Sequence, residues 1–214
     1  MEGKKNKLEN YSRLLLYVMF LVGIVGHLFP PTRSLMMYLT PFTLLLFGAI
    51  VLYPDLKDGN TKLLLWLAAT YCVTFLIEVI GVKTGLIFGH YIYGNVLGLK
   101  VFDVPLIIGL NWVVVIYGAF IIASKMSRNI FVNSIITGIL AVVFDFVLEP
   151  AAVKIGYWQW EQGIIPLQNY IAWFIIAMAF ITVLNLLKYN PRSMLPVHYY
   201  NVQLIFFVVL SINF

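Results

Sequence analysis

Three carboxylates stand where a strongly apolar chain has little reason to keep them. Asp145 and Glu149 lie four residues apart in VVFDFVLEPAAVKIGYWQW, residues 142–160, and Glu78 closes another apolar run. Residues at that spacing share one helix face. Two like charges so close do not both ionise cheaply in an apolar setting, so one is expected to hold its proton near neutrality, the condition for a general acid. The remaining acids ask for less explanation. Glu2, Glu9, Asp55 and Asp58 fall in a tail or a turn, where they are expected to be solvated, and Asp103 and Glu161 fall in two long loops. The plainer reading of Glu78, Asp145 and Glu149 is that they sit in the last turns of their helices, reach for water, or pair with Lys83 or Lys154. Against it, charge inside a bilayer is costly, and a helix C-terminus is already negative.

The elements that must carry these acids are membrane helices. Of 214 residues, 62% are hydrophobic and 11% charged, against roughly a quarter charged in an ordinary soluble domain. The apolar residues come in blocks of about twenty, the length that crosses a hydrocarbon core. Spans are expected at 14–29, 35–53, 61–80, 104–124, 128–148, 168–187 and 196–213. The fold class is therefore all-α, a polytopic integral membrane bundle of about seven helices, read as one domain over 1–214 with a basic tail at 1–13. GIVGHLFPP offers no small-residue cleavage site, so the first run is read as a retained helix. Glu2 after Met1 gives no myristoylation signal. Cys72, the one cysteine, lies inside an apolar block and has no partner for a disulfide.

Alternate connections hold ten Lys and Arg on one side and four on the other, which puts the N-terminus in the cytoplasm and the C-terminus outside. The net charge of +5 suits loops facing anionic lipid and calls for no nucleic acid. Residues 81–103 and 150–167 are the two long connections, and both fall on the outer side. Each follows an acid-bearing helix and is dense in aromatics: GLIFGHYIYG after Glu78, KIGYWQW after Glu149. Tyr91, Tyr93, Tyr157, Trp158 and Trp160 are expected to wall one shared pocket and to stabilise a cation through their ring faces. Pro150 is expected to stop its helix just after Glu149. Tyr53, Trp66 and Tyr199 are read as interfacial belt residues, and His90 as a hydrogen-bonded loop residue. No His-containing pattern has metal-ligand spacing.

The two halves echo each other. After each loop a helix opens with Pro-Leu, VPLIIGLNW and then IPLQNYIAW, contributing Asn111, Trp112, Asn169 and Trp173 to the expected site. A protonated acid in a greasy, aromatic pocket is suited to protonating an isoprenoid double bond. Water held by Asn111 or Asn169 and admitted to the resulting tertiary carbocation gives hydration, and exclusion of water gives cyclisation. Neither reaction uses a redox cofactor or a metal.

Three stretches, EVIGVKTGLIFGHYIYGNVLG (78–98), VPLIIGLNW (104–112) and FDFVLEPAAVKIGYWQWEQGIIPLQNYIAW (144–173), resemble the carotenoid 1,2-hydratase family of membrane proteins. The resemblance covers roughly residues 61–190, and the first two helices and the last show nothing diagnostic. It implies addition of water across the terminal C1=C2 bond of an acyclic carotenoid ψ-end, on a substrate of the lycopene or γ-carotene type. It also implies an integral protein of a bacterial or archaeal cytoplasmic membrane, surrounded by lipid. Carried onto this chain, it makes Glu78, Asp145 and Glu149 the candidate catalytic acids. Rival readings are a lycopene-type cyclase and a carotenoid-binding protein without activity. An intramembrane prenyltransferase would need a second acidic cluster and groups for diphosphate, and a retinal photoreceptor would need a lysine in the last helix, which has none.

Overall fold

A computed structural model describes residues 2–57 and 59–214, with side chains for all of these but 2–6 and 8. Expectations placed on Asp58 and on the side chains of Glu2, Lys4 and Lys5 lie outside that description. Seven helices follow in order: α1 (Glu2–Leu28), α2 (Pro30–Leu56), α3 (Thr61–Thr84), α4 (Ile107–Met126), α5 (Ile130–Lys154), α6 (Leu167–Leu186) and α7 (Leu195–Asn213). All seven are long and apolar enough to cross a membrane, and together they form an all-α polytopic membrane bundle. α4 is the central post. It is buried along most of its length and touches α2, α3, α5, α6 and α7.

Helix ends differ from the sequence reading for identifiable reasons. α1 runs back through the expected basic tail, because no proline interrupts it and a helix once nucleated propagates cheaply. α2 starts at Pro30, a residue already set for a first turn. α4 starts late because β2 (Lys100–Val101) and β3 (Val104–Pro105) form a small hairpin first, turning on Phe102 and Asp103, both at positive φ.

The proline after Glu149 does not end α5. The helix continues through Pro150 to Lys154, since a proline there removes one backbone donor without preventing one further turn. What ends it is Gly156 at φ +76. The Gly156 amide donates to Val153 O (3.2 Å) and the Tyr157 amide to Ala152 O (2.8 Å), a Schellman closure. Glu149 and Glu78 therefore lie one to two turns inside their helices rather than at the ends.

Several polar and aromatic residues are more deeply placed than expected. Asp55 is 1% exposed and accepts from the Arg192 amide at 2.6 Å, while half-buried Glu9 accepts from Ser193 Oγ and the Met194 amide. Together they fasten the α6–α7 connection to the bundle. Trp66 and Tyr199 belong to the core rather than to an interfacial belt; Trp66 Nε1 donates to Phe180 O at 2.8 Å, and Tyr199 packs edge-on against Phe20. Tyr53 is exposed.

The two long loops meet as expected, through an antiparallel ribbon of β1 (Tyr91–Tyr93) and β4 (Trp158–Trp160), with Tyr91 opposite Trp160 and Tyr93 opposite Trp158. The Gly94 amide donates to Tyr157 O (2.8 Å), and a Cβ on Gly94 would overlap the Gly156 carbonyl oxygen. Gly94→Ala should therefore push the loops apart and cost about 2 kcal/mol, read as a lowered midpoint in thermal unfolding of the purified protein; an unchanged midpoint would show that the contact is not tight.

Candidate functional site

Strand alternation decides which side chains of the ribbon face the helices. With a period of two, Tyr91, Tyr93, Trp158 and Trp160 share one face, and Ile92 and Gln159 point outward into exposed positions. The inward face lies over the ends of α3 and α5, where Glu78, Asp145 and Glu149 are 5%, 1% and 2% exposed. None of the three is an interfacial group reaching for water, and the nearby lysines are engaged elsewhere. Lys83 lies over the Phe102 ring and Lys154 donates to Ser211 O.

Each glutamate is met by one strand. Tyr91 and Tyr93 hydroxyls both donate to Glu78 Oε2, the second over 2.8 Å, and Trp112 Nε1 donates to Glu78 Oε1 at 2.8 Å. Burial, and after it the Glu78 carboxylate beside them, push both phenols well above the usual tyrosine range, so they remain donors. On the other strand Trp158 and Trp160 donate to Glu149 Oε2 at 2.9 and 2.7 Å. Asp145 is supplied differently. Asn169 Nδ2 donates to its Oδ2 at 2.5 Å and lies 3.5 Å from Glu149 Oε1, but Asp145 Oδ1 is buried with no partner.

Between these groups lies a cavity of about 30 Å³, room for one or two waters. Of the expected site residues, Glu78, Tyr91, Tyr93, Asn111, Trp112, Asp145, Glu149, Trp158, Trp160, Asn169 and Trp173 all line it. Trp112 and Trp173 stack directly on each other in its wall, with ring centroids 3.8 Å apart. Tyr157 does not line it. As the residue that completes the Schellman closure it precedes the strand alternation, and its ring turns toward Phe207 in a separate cavity. The sequence reading missed Phe88, Ile108 and Leu148, which also line the site. Leu148 could have been found by its position one turn from Asp145, on the same helix face.

The sequence echo aligns real positions. Trp112 and Trp173 each follow a proline, Pro105 and Pro166, by seven residues, and Glu78 and Glu149 each precede their loop. The echo breaks at three site positions: Thr74 stands where the second half has Asp145, Ile108 where it has Asn169, and Asn111 where it has Ala172. Buried Thr74 spends its hydroxyl on the Thr70 carbonyl. The extra carboxylate and its amide thus belong to one half only. Among the described residues, no three His, Cys, Asp or Glu side chains come close enough to hold a metal ion.

Residues 39–214 match the family model described as carotenoid biosynthesis protein. The chain belongs to the carotenoid biosynthesis protein family. It is similar to the bisanhydrobacterioruberin hydratase of Haloarcula japonica, 29% identical over 143 residues, a match covering 61% of this chain and 49% of that protein. The chain thus matches about half the length of that relative. No solved structure gives a significant match. In this family member, all of the site residues fall within the matched region.

The indole donors can be tested directly. Trp160→Phe keeps a ring but leaves Glu149 one hydrogen bond short, and should cost about 2 kcal/mol. In a Glu149→Leu background the same change should cost clearly less; equal costs by thermal unfolding in both backgrounds would separate Trp160 from the carboxylate.

Proposed function

We propose that this protein adds water to the terminal C1=C2 bond of an acyclic carotenoid ψ-end, giving a tertiary 1-hydroxy group. The observation that carries the reading is Asp145 Oδ1, a buried carboxyl oxygen without a partner in an aromatic cavity, beside two glutamates whose oxygens are already met by donors. A proton on that oxygen has no competing acceptor and is free to point at substrate. The relative named as a hydratase supports the same chemistry.

In the proposed sequence, Asp145 gives its proton to C2 of the alkene, and the tertiary cation forms at C1. Trp112 and Trp173 each offer an outer ring face to it, and the carboxylates of Glu78 and Glu149 balance its charge without attacking it, because Tyr91, Tyr93 and Trp112 hold both oxygens of Glu78, and Trp158 and Trp160 hold Glu149 Oε2. A water in the cavity, held by Asn169 or by Asn111, bonds to C1 through its oxygen. Its surplus proton passes to Asp145, which restores the acid, and the balance is alkene plus water to alcohol. No electron enters or leaves, so the reaction itself requires no redox cofactor.

The cavity is too small for a hydrocarbon end beside water, so side chains such as Leu148 and Phe88 must give way as substrate enters from the lipid. By sequence, ten of the fourteen Lys and Arg fall in the tail and connections that alternate with the two aromatic loops, which supports an N-terminus in the cytoplasm and a site at the outer face. Cyclisation is the second reading: the same cation would close onto its own C5=C6 bond. The room for water beside Asn169 favours hydration.

Expression in a lycopene-accumulating host tests this. The expected pigment is more polar and heavier by one water. Asp145→Asn should lower its formation by about 100-fold or more. A ring-bearing pigment of unchanged mass would replace hydration with cyclisation, and wild-type turnover by both Asp145→Asn and Glu149→Gln would refute acid catalysis by this pair.

A further inference from the structure

A second cavity, of about 190 Å³, lies among α1, α2 and α7 and shares no residue with the first. Its rim includes Met19, Val22 and Leu39, all exposed on the outside of the bundle, so it opens sideways toward lipid between α1 and α2. Its walls are mainly apolar, but His27 and Gln203 line it while 4% and 1% exposed.

The hydrogen-bonding state of these two residues defines what is missing. His27 Nδ1 lies 2.7 Å from Gly23 O. A carbonyl only accepts, so Nδ1 carries the hydrogen, and in the neutral ring Nε2 is an acceptor. That Nε2 has no partner, and neither does the amide nitrogen or the amide oxygen of Gln203. Buried polar groups are rarely left unmet, and here three unmet atoms belong to two residues on one apolar cavity.

We propose that this cavity is a second, non-catalytic site that binds the end of a lipophilic alcohol. A hydroxyl donates to His27 Nε2 and accepts from Gln203 Nε2 in the same pose. A ketone or ether accepts only and leaves His27 unmet, and a hydrocarbon meets neither. The volume is below the roughly 300–1,000 Å³ of a pocket that encloses a whole drug-sized molecule. The site therefore takes an end group, with the remaining chain leaving between α1 and α2. The three carboxylates of the first cavity play no part in it, so it stands independently of the hydration reading.

The test uses the full chain in lipid nanodiscs and two photoreactive probes: a geranylgeraniol analogue with a diazirine near its hydroxyl, and the matching hydrocarbon without the oxygen. The alcohol should label the cavity segments of α1, α2 and α7 about tenfold more than the hydrocarbon does, the difference expected for one or two hydrogen bonds. Gln203→Leu should reduce that labelling to the hydrocarbon level, whereas Asp145→Asn should leave it unchanged whatever becomes of turnover. His27→Phe serves as the second variant and should show the same loss. Equal labelling by both probes, or full labelling in folded Gln203→Leu and His27→Phe proteins, would overturn the proposal and leave these polar atoms to water alone.

Discussion

Three carboxylates inside an apolar bundle impose the constraint on which the site end of this molecule is built. A helix offers no free backbone donors along its middle turns, because each amide is already committed to the carbonyl four residues back. Donors for Glu78 and Glu149 must come from elsewhere. They come from side chains that give a hydrogen without adding charge: phenols for Glu78, indoles for Glu149, and one more indole from α4. The aromatic loops are long because they must leave the ends of α3 and α5, turn over, and lay these groups back on the acids.

The antiparallel ribbon follows from that demand. A strand presents every second residue to one face, so Tyr91 with Tyr93, and Trp158 with Trp160, each form a pair aimed at a single carboxylate. Pairing the two strands fixes the pairs relative to each other, and the close approach of Gly94 to Gly156 lets the backbones meet. Two helical hairpins, α3–α4 and α5–α6, thereby contribute equivalent parts. The departure from equivalence, Asp145 with Asn169 against Thr74 with Ile108, leaves Asp145 Oδ1 as the one carboxyl oxygen of the site without a donor. A nearly symmetric frame thus yields an asymmetric site.

The other helices close the bundle around α4 and hold features of their own. Asp55 and half-buried Glu9 show that acids in this chain also serve structural ends, since Asp55 Oδ1 accepts from the Arg192 amide and Glu9 from the Ser193 hydroxyl and the Met194 amide, all in the α6–α7 connection. Asp55 Oδ2 is buried without a partner as well, so what sets Asp145 apart is its place on an aromatic cavity beside two further carboxylates.

The sequence by itself determined the seven apolar helices, because bilayer thickness sets the length of each block, and it determined that the two long loops share a side, because alternation of spans fixes that. It also pointed to the three acids and most of the rings, since charge and clustered aromatics are rare enough in such a chain to be noticed. Only the tertiary structure decided which ring serves which acid, because strand register and the inward face are set by pairing between residues some seventy apart. It decided that α5 runs through Pro150 and that Tyr157 turns away, because the Schellman closure at Gly156 ends the helix and sets where the strand begins. It decided that Asp55 is buried and that Trp66 and Tyr199 are core, since burial depends on which neighbours arrive from distant segments, and no local pattern carries that information.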